Sequence, residues 1–206
     1  MFYDPRETPQ PEPLGHNPIN ALVAPRPIGW IGSLSGDGAP NLAPFSYFNL
    51  VSADPPVVAF APHEKTAAGG PKDTLANVRN VPEFTASIVS EALAAPMNES
   101  SRVLPHGASE FAVAGLTPAA SRVVAPPYVR EALAALECRV FDIVELPSRP
   151  TGRRSHLVIG EVVGIHIDDR LIVDGRIDSL ALAQLARLGY HDYTVVREVI
   201  EIPRPD

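Results

Sequence analysis

The segment from Ser155 to Ile167 restricts the fold of this chain more than any other feature of its sequence. Its two alternating sets of residues, which begin at His156 and at Leu157, are both largely apolar. Because successive side chains of a strand point to opposite faces, this pattern predicts a long strand that is packed on both sides. Such a strand fits the wall of a barrel or an interface between subunits.

The other periodic segments are shorter and mostly strand-like. Strands are predicted at residues 28–34, 41–50, 57–61, 83–89, 137–146 and 193–202. Short helices are predicted at residues 73–79 and 179–188, and residues 129–136 have a helical character. Since strands and helices do not alternate regularly, we predict a mainly β, antiparallel barrel with inserted helices rather than a doubly wound sheet.

The N-terminal part of the chain is punctuated by prolines. They recur throughout residues 1–27, where each fixes φ and removes a backbone donor. We therefore expect residues 1–27 to form an extended lead-in that wraps over the body. Residues 28–206 contain neither an internal repeat nor a long flexible linker, and we expect them to form a single domain.

Charge and hydropathy exclude several classes of function. The formal net charge of -7 argues against nucleic acid or an anionic membrane surface as the main partner. No apolar run approaches the roughly 18 to 20 residues that span a bilayer, and residues 1–20 lack the hydrophobic core of a signal peptide. The expected location is cytoplasmic.

Cys138 is the only cysteine, so an intrachain disulfide and a multi-cysteine metal site are excluded. Its neighbours Leu136 and Val140 favour a buried, inert thiol over a reactive one. No metal site is predicted. The chain also lacks the glycine-rich patterns of a Rossmann dinucleotide site and of a P-loop, so any nucleotide-like cofactor must be held differently.

Two segments carry residues suited to ligand binding. Residues 41–49 (NLAPFSYFN) combine small residues, aromatic rings and hydrogen-bonding side chains, which suit a flat ligand with a polar edge but also occur in ordinary barrel strands. Residues 72–77 (KDTLAN) stand at a predicted helix start, where backbone N–H groups and the helix dipole favour an anion. An ordinary N-cap at Asp73 or Thr74 explains the second pattern as well.

The choice of basic residues has two explanations. Lys65 and Lys72 are the only lysines, and they lie in one stretch that contains glycine and proline. Either the bias towards arginine follows from genome composition, or a compact ammonium group is required there as a point charge for phosphate.

Read in chain order, a set of short motifs resembles the flavin reductase-like family. The motifs are residues 26–33 (RPIGWIGS), 41–49, 54–56 (DPP), 72–77, 83–84 (EF), 110–116 (EFAVAGL), 137–138 (EC), 159–162 (IGEV) and 187–189 (RLG). They extend over most of residues 25–195, and their order is more specific than any single motif. The resemblance implies an FMN-binding split β-barrel fold.

The resemblance also implies a homodimer with one FMN per subunit, reduced by NADH or NADPH. The electrons would pass to free flavin or another acceptor, such as a separate monooxygenase supplied with reduced flavin. By position, the residues lining the isoalloxazine ring and ribityl chain would be Trp30, Ile31, Ser33, Ala43, Pro44, Ser46, Tyr47, Phe48 and Asn49. Those holding the phosphate would be Lys72, Thr74 and Asn77. No catalytic acid or base is expected, because the flavin carries the hydride chemistry.

Five further residues have two interpretations. His156 lies near a position that some members of the family use towards the nicotinamide, although a strand histidine is more often structural. Glu161 is expected to be paired across the barrel or the dimer rather than catalytic. Arg187, Tyr190 and Tyr193 would close over the flavin or receive the nicotinamide phosphate. Tyr190 occupies a position where the family often has a second glycine, which puts the loop shape and substrate access in question.

Three functions are therefore compatible with the sequence. The first is an NAD(P)H-dependent flavin reductase. The second is an FMN-binding electron carrier that oxidises little nicotinamide, and the third is a split-barrel binding module without flavin. FMN binding separates the third from the other two, and bleaching of the flavin by a nicotinamide separates the first from the second.

Overall fold

The computed structural model describes residues 1–8, 10–63, 72–104, 108–148 and 154–205, so Lys65 lies outside the described residues. The helices are α1 (Ile19–Leu22), α2 (Asp73–Asn80), α3 (Ala94–Glu99), α4 (Glu110–Val113) and α5 (Ser179–Leu182). The strands are β1 (Arg26–Pro27), β2 (Gly29–Leu34), β3 (Pro40–Phe45), β4 (Phe48–Ala53), β5 (Pro56–Phe60), β6 (Glu83–Ile88), β7 (Pro118–Ala119), β8 (Tyr128–Val129), β9 (Ala134–Glu145), β10 (His156–Ile167), β11 (Ile172–Val173), β12 (Arg176–Ile177), β13 (Leu185–Arg187) and β14 (Tyr193–Val195).

Seven antiparallel strands form one sheet in the order β3-β2-β6-β9-β10-β5-β4. Every one of these strands contributes to the same hydrophobic core, which Leu75 and Val78 of α2 complete. A sheet whose strands all face one core is curved into a barrel. Strands β3 and β4 follow each other in the chain but stand at opposite ends of the strand order, so the barrel is split between them, at Ser46 and Tyr47. The prediction of a mainly β, antiparallel barrel is confirmed.

A second hydrophobic core lies outside the barrel, against β2 and β3. Trp30 and Leu42 pack there with Met97 of α3, Phe111 of α4 and Leu185 of β13. Side-chain alternation along β2 sends Trp30 to this core and its neighbour Ile31 to the barrel core. The small sheet β1-β13-β14 contributes to the same outer core and places the C-terminal strands beside β3.

Strand β10 is the long strand that the alternation predicts, and it pairs with both β5 and β9. The inner set of residues is buried from His156 to Val162. Gly160 leaves room for the Phe84 ring, since a Cβ there would lie 2.4 Å from the ring. The outer set is only partly covered by this chain, because Ile165 is 60% exposed. One face of β10 is therefore packed in the barrel, and the other remains available to a partner.

Two predicted elements differ from those in the structure, because long-range strand pairing overrides the local sequence pattern. The predicted strand 41–50 is broken at Ser46 and Tyr47, where the chain crosses the split. The predicted helix 179–188 ends at Leu182, since Ala183 has a φ of 45° and the residues from Leu185 to Arg187 pair with β1 and β14.

Two further predictions, near β8 and near the C-terminus, also differ from the structure. Residues 129–136 are not helical: β8 ends at Val129, whose N–H donates to Ser87 Oγ at 3.1 Å, and β9 begins at Ala134. The predicted strand 193–202 ends at Val195, which is the last residue paired with β13.

The lead-in lies against the loop that follows β13. Ala21 packs so closely on Gly189 that a Cβ on Gly189 would lie 2.6 Å from the Ala21 Cβ. The guanidinium of Arg26 donates to the carbonyl oxygens of Asn20 at 2.5 Å and of Leu188 at 2.7 Å. The N-terminal segment therefore fixes the position of this loop. Of the helices that the structure describes, none has the length and apolar character needed to cross a membrane.

A buried carboxylate ties the loop before β8 to the barrel. Glu137 of β9 is 1% exposed and accepts hydrogen bonds from the N–H groups of Arg122, Val123 and Val124 at 2.8, 2.6 and 3.0 Å. His166 Nε2 lies 2.5 Å from the same carboxylate. Burial raises the pKa of Glu137, but the hydrogen bonds from the backbone and from His166 outweigh it, so the pKa lies below its usual value.

Replacing Glu137 with Gln is expected to lower the free energy of unfolding by about 2 kcal/mol near neutral pH, because the charge-assisted hydrogen bonds are weakened. A carboxyl group whose pKa is lowered by folding stabilises fully above its unfolded pKa of about 4.3, and that stabilisation is lost as pH falls through the folded pKa. The deficit of Glu137→Gln should therefore shrink in acid. Urea denaturation from neutral pH down into acid measures the unfolding free energy of each variant, with the exposed Glu145→Gln as the control. A deficit of Glu137→Gln that stays constant in acid would contradict a charged, hydrogen-bonded Glu137.

Candidate functional site

Strand β3 is an edge strand at the split of the barrel and pairs only with β2. Backbone groups of alternate residues in an edge strand point away from the sheet. The N–H of Leu42 points outward and donates to Glu110 Oε2 at 3.3 Å. Pro40 and Pro44 occupy the neighbouring outward positions and have no N–H. From residue 40 to residue 44, this edge therefore presents carbonyl oxygens and no unpaired N–H.

Four polar side chains, Ser33, Asn41, Thr74 and Asn77, meet beside this edge and are called the polar cluster below. Asn41 Nδ2 donates to Ser33 Oγ at 3.3 Å and to Thr74 Oγ1 at 3.1 Å, and Asn77 Nδ2 donates to Ser33 Oγ at 3.1 Å. Ser33, Thr74 and Asn77 are buried. Since both hydroxyl oxygens act as acceptors here, their own protons can serve a further acceptor, and Asn77 keeps one amide N–H.

Helix α2 begins beside the polar cluster without a side-chain cap. Its N-cap residue is Lys72, which makes no capping hydrogen bond, so the prediction of a cap at Asp73 or Thr74 is wrong. Thr74 Oγ1 accepts instead from Asn41. The first N–H groups of a helix have no partner within the helix and carry the positive end of its dipole. The Lys72 ammonium, 5.9 Å from the centre of the Phe45 ring, adds a charge at the same end.

A cleft of about 220 Å³ opens on one side of the polar cluster and is called the acidic cleft below. Asn41 and Asn77 line it together with three carboxylates, from Asp37, Asp73 and Glu110. Burial raises the pKa of Glu110, backbone hydrogen bonds partly offset this, and the charge of Asp73 raises it further. The described lining of this cleft is therefore acidic.

A second cleft, of about 190 Å³, lies between β3, α3 and the β13–β14 hairpin and is called the cationic cleft below. Its lining residues are Ile28, Pro44, Ser46, Met97, Asn98, Ser101, Arg187 and Tyr193. Arg187 is the only charged residue among these lining residues. The two clefts thus have opposite charge.

The guanidinium of Arg187 is held by its own hairpin. It donates through Nη1 to the Tyr193 hydroxyl and through Nη2 to the Tyr190 carbonyl oxygen, and it lies 4.4 Å from the centre of the Tyr193 ring. Tyr190 has a φ of 56°, a conformation that glycine adopts easily. Tyr190 therefore adopts a conformation that is uncommon for residues other than glycine, and its carbonyl oxygen helps to hold Arg187.

The residues predicted to line a flavin ring divide between the cores and the cationic cleft. The side chains of Trp30 and Ile31 are fully buried in the outer core and in the barrel core, so only their backbone could reach a ligand. Ala43 packs against the barrel core. Pro44 and Ser46 are the two that line the cationic cleft.

The remaining three predicted ring residues follow the split. Tyr47 is partly exposed, and its hydroxyl donates to Asn20 Oδ1 at 2.8 Å. Phe48 is buried in the barrel core. Asn49 is exposed on β4, where its Oδ1 accepts from the N–H of Leu50.

His156 and Glu161 lie away from both clefts. His156 is buried, and its Nε2 lies 2.9 Å from Arg79 Nη2. Because a guanidinium only donates, Nε2 is the acceptor and the ring proton lies on Nδ1. Nδ1 is buried and has no hydrogen-bond partner among the described residues. Glu161 is exposed on the outer face of β10, opposite Val57 of β5.

Sequence reasoning missed Asn41, Glu110, Asn98 and Ser101 as individual site residues. Asn41 lies on the same strand face as Ala43 and Phe45, so strand alternation could have pointed to it. The other three are brought to β3 from distant segments. Glu110 belongs to the motif at residues 110–116 but had no assigned role, and Asn98 and Ser101 carry no local signal. No group of three or more His, Cys, Asp or Glu side chains suited to a metal ion occurs in the part of the chain that the structure describes.

The chain matches the family described as "Flavin reductase like domain" over residues 23–183. That match covers most of its length, and the chain therefore belongs to the flavin reductase-like family of split β-barrel proteins, as the ordered motifs and the split between β3 and β4 indicate. Membership places the protein among flavin-binding oxidoreductases in the broad sense.

Individual relatives are similar along almost the whole chain. An uncharacterised protein of Deinococcus radiodurans is 39% identical over 202 residues, covering 94% of this chain and 86% of the relative. An uncharacterised protein of Halalkalibacterium halodurans is 36% identical over 183 residues, covering 89% and 87%. The crystal structure of nitrilotriacetate monooxygenase component B from Bacillus cereus is 33% identical, with a TM-score of 0.89 and 98% of each chain covered.

Proposed function

We propose that this protein binds FMN and acts as an NAD(P)H-dependent flavin reductase. Its family supports a flavin-binding oxidoreductase, and the polar cluster at the uncapped start of α2 is the observation that carries the choice of FMN. The hydroxyl protons of Ser33 and Thr74, one N–H of Asn77, the first N–H groups of α2 and the ammonium of Lys72 form a donor set that suits a phosphate.

The edge of β3 would hold the ring system next to that phosphate. Pro44 offers an apolar face, Ser46 offers a hydroxyl group, and the outward carbonyl oxygens of β3 can accept from a ring N–H. Trp30, Ile31 and Ala43 would support this wall from behind, and Tyr47, Phe48 and Asn49 would border it across the split. Arg187, Tyr190 and Tyr193 would receive the second substrate.

The division of labour between cofactor and protein follows from the side chains present. When bound, FMN supplies the hydride and electron transfer. The chain binds and orients the ring through β3, neutralises the phosphate through α2 and covers the site with the β13–β14 hairpin. The similarity to component B of a monooxygenase supports transfer of the electrons to a separate monooxygenase through reduced flavin.

Thr74→Val and Lys72→Gln are each expected to weaken FMN binding by about 1 to 3 kcal/mol, since each removes a hydrogen bond or a charge from the phosphate. Titration of the purified protein with FMN, followed by quenching of flavin fluorescence, measures both dissociation constants. Asn80→Ala, an exposed change at the other end of α2, serves as the control and should bind as the wild type does. Unchanged affinity in both Thr74→Val and Lys72→Gln would rule out this phosphate site.

Anaerobic mixing with a nicotinamide tests turnover separately from binding. The FMN-loaded protein is expected to lose its visible flavin absorbance when NADH or NADPH is added, and comparison of the two rates identifies the donor. A loaded protein that neither donor bleaches would be an electron carrier rather than a reductase. A protein that takes up no FMN would instead be a binding module without flavin.

The outer face of the β9–β10 ribbon supports a homodimer. Phe141 is 78% exposed and Ile165 is 60% exposed, and both stand on strands that form the middle of the sheet. Exposed apolar side chains of this size are unfavourable in water unless another surface covers them. A second copy of the chain is the proposed cover.

Ile165→Arg is expected to convert the dimer into a monomer, because it places a charge in the proposed interface. Size-exclusion chromatography with light scattering measures the mass of each species. Ile200→Arg, which changes an equally exposed apolar residue in the C-terminal tail, should leave the dimer intact. A monomeric wild type, or an Ile165→Arg variant that remains dimeric, would count against this interface.

A further inference from the structure

The two clefts that flank β3 differ in the charge of their described lining residues. Among the residues that the structure describes, three carboxylates and no basic side chain line the acidic cleft, whereas Arg187 and no acidic side chain line the cationic cleft. The protein has a formal net charge of -7. The positive charge of the cationic cleft is therefore opposite in sign to the net charge of the molecule. Local charge of this kind attracts anions and excludes cations.

Arg187 has no counter-ion in the part of the chain that the structure describes. None of the ion pairs found among the described residues includes Arg187, and its two hydrogen bonds go to neutral oxygens of Tyr190 and Tyr193. The guanidinium has five N–H donors, so donors remain for a bidentate anion. Because the side chain is half-buried, part of its hydration is lost, and an anionic ligand would restore a favourable environment.

The other residues that line the cationic cleft indicate the size and polarity of the rest of such a ligand. Ile28, Pro44 and Met97 are apolar, and Ser46, Asn98 and Ser101 supply hydroxyl and amide groups at the rim. At about 190 Å³ the cleft has room for a small ring and not for a whole dinucleotide.

We propose that the cationic cleft binds the anionic group of a second substrate, a small organic anion with a flat apolar body such as a one-ring aromatic carboxylate. Its role as a substrate rests on the proposed function, because Pro44 and Ser46 belong both to this cleft and to the proposed flavin wall. Its binding does not depend on the flavin. The phosphate of a nicotinamide nucleotide has the same anionic chemistry, and the probes below distinguish the two sources.

Trp30 reports on this cleft from inside the protein. It is the only tryptophan, and its indole N–H donates to Ser100 Oγ at 2.9 Å. Ser100 in turn donates to the carbonyl oxygen of Met97 at 2.8 Å, and Met97 lines the cleft. A ligand that contacts α3 is therefore expected to change the Trp30 emission.

The experiment measures binding of three probes to the purified protein by isothermal titration calorimetry, with Trp30 emission as the second readout. Benzoate is the aromatic carboxylate, benzamide is its neutral counterpart, and 2′-AMP carries the phosphate of a nicotinamide nucleotide. Saturable binding of benzoate, accompanied by a change in Trp30 emission, is expected. Benzamide should bind about tenfold or more weakly, because it lacks the charge that pairs with Arg187.

Two kinds of variant test the role of charge. Arg187→Gln removes the cation, and Asn98→Asp adds a carboxylate at an exposed position of the cleft without touching the contacts of Arg187. Each should weaken benzoate binding about tenfold or more. Asn98→Ala controls for the change at residue 98, and Arg176→Gln controls for the loss of an arginine elsewhere on the surface. Asn98→Asp keeps the test decisive if Arg187→Gln disturbs the hairpin.

The outcomes separate this proposal from the proposed function. Binding of benzoate that both charge variants weaken supports the proposal even if the protein binds no FMN. Binding of 2′-AMP alone, with the same response to the variants, supports the anion site and assigns it to the nicotinamide phosphate. Equal binding of benzamide and benzoate, binding that neither variant changes, or no binding of either anion would overturn it.

Discussion

The arrangement of the site depends on how the outward N–H groups of the edge strand β3 are removed or hydrogen-bonded. The barrel is split because β3 and β4 stand at opposite ends of the sheet, and the split leaves the outward edge of β3 without a strand partner. Two prolines and the carboxylate of Glu110 remove the N–H groups that would otherwise invite another strand. What remains is a row of carbonyl oxygens and enough space on both sides for clefts. A closed barrel of the same strands would have neither.

The same edge separates two electrostatic environments over a short distance. On one side the start of α2 supplies N–H groups and the Lys72 ammonium, with the acidic cleft beyond them. On the other side the β13–β14 hairpin supplies Arg187. Under the proposed function, a ligand with a phosphate at one end and a ring at the other would be oriented by charge before any specific contact forms, and a second anion would have its own binding place. The lead-in contributes indirectly, since Ala21 and Arg26 fix the loop that follows Arg187.

The sequence predicted what depends on local periodicity or on the order of motifs. Strand alternation identified β10, and the local pattern of residues 73–79 identified α2 within one residue at its end, although the predicted side-chain cap does not form. The motif order identified the family. The failures have a common physical cause, because the contacts that decide them join distant parts of the chain. Thr74 lies 33 residues from Asn41, and Glu110 lies 68 residues from Leu42. Likewise, residues 179–188 have helical periodicity, but Leu185 and Ala186 pair instead in a sheet whose strands come from distant parts of the chain.

The Glu137 carboxylate has a consequence for motion as well as for stability. It replaces what would be a partner strand for the N–H groups of Arg122, Val123 and Val124. These three amides therefore share one protecting group, and a single movement of that side chain exposes them together. In hydrogen exchange they would behave as one cooperative unit, with a common opening free energy set by one carboxylate rather than by the sheet around it.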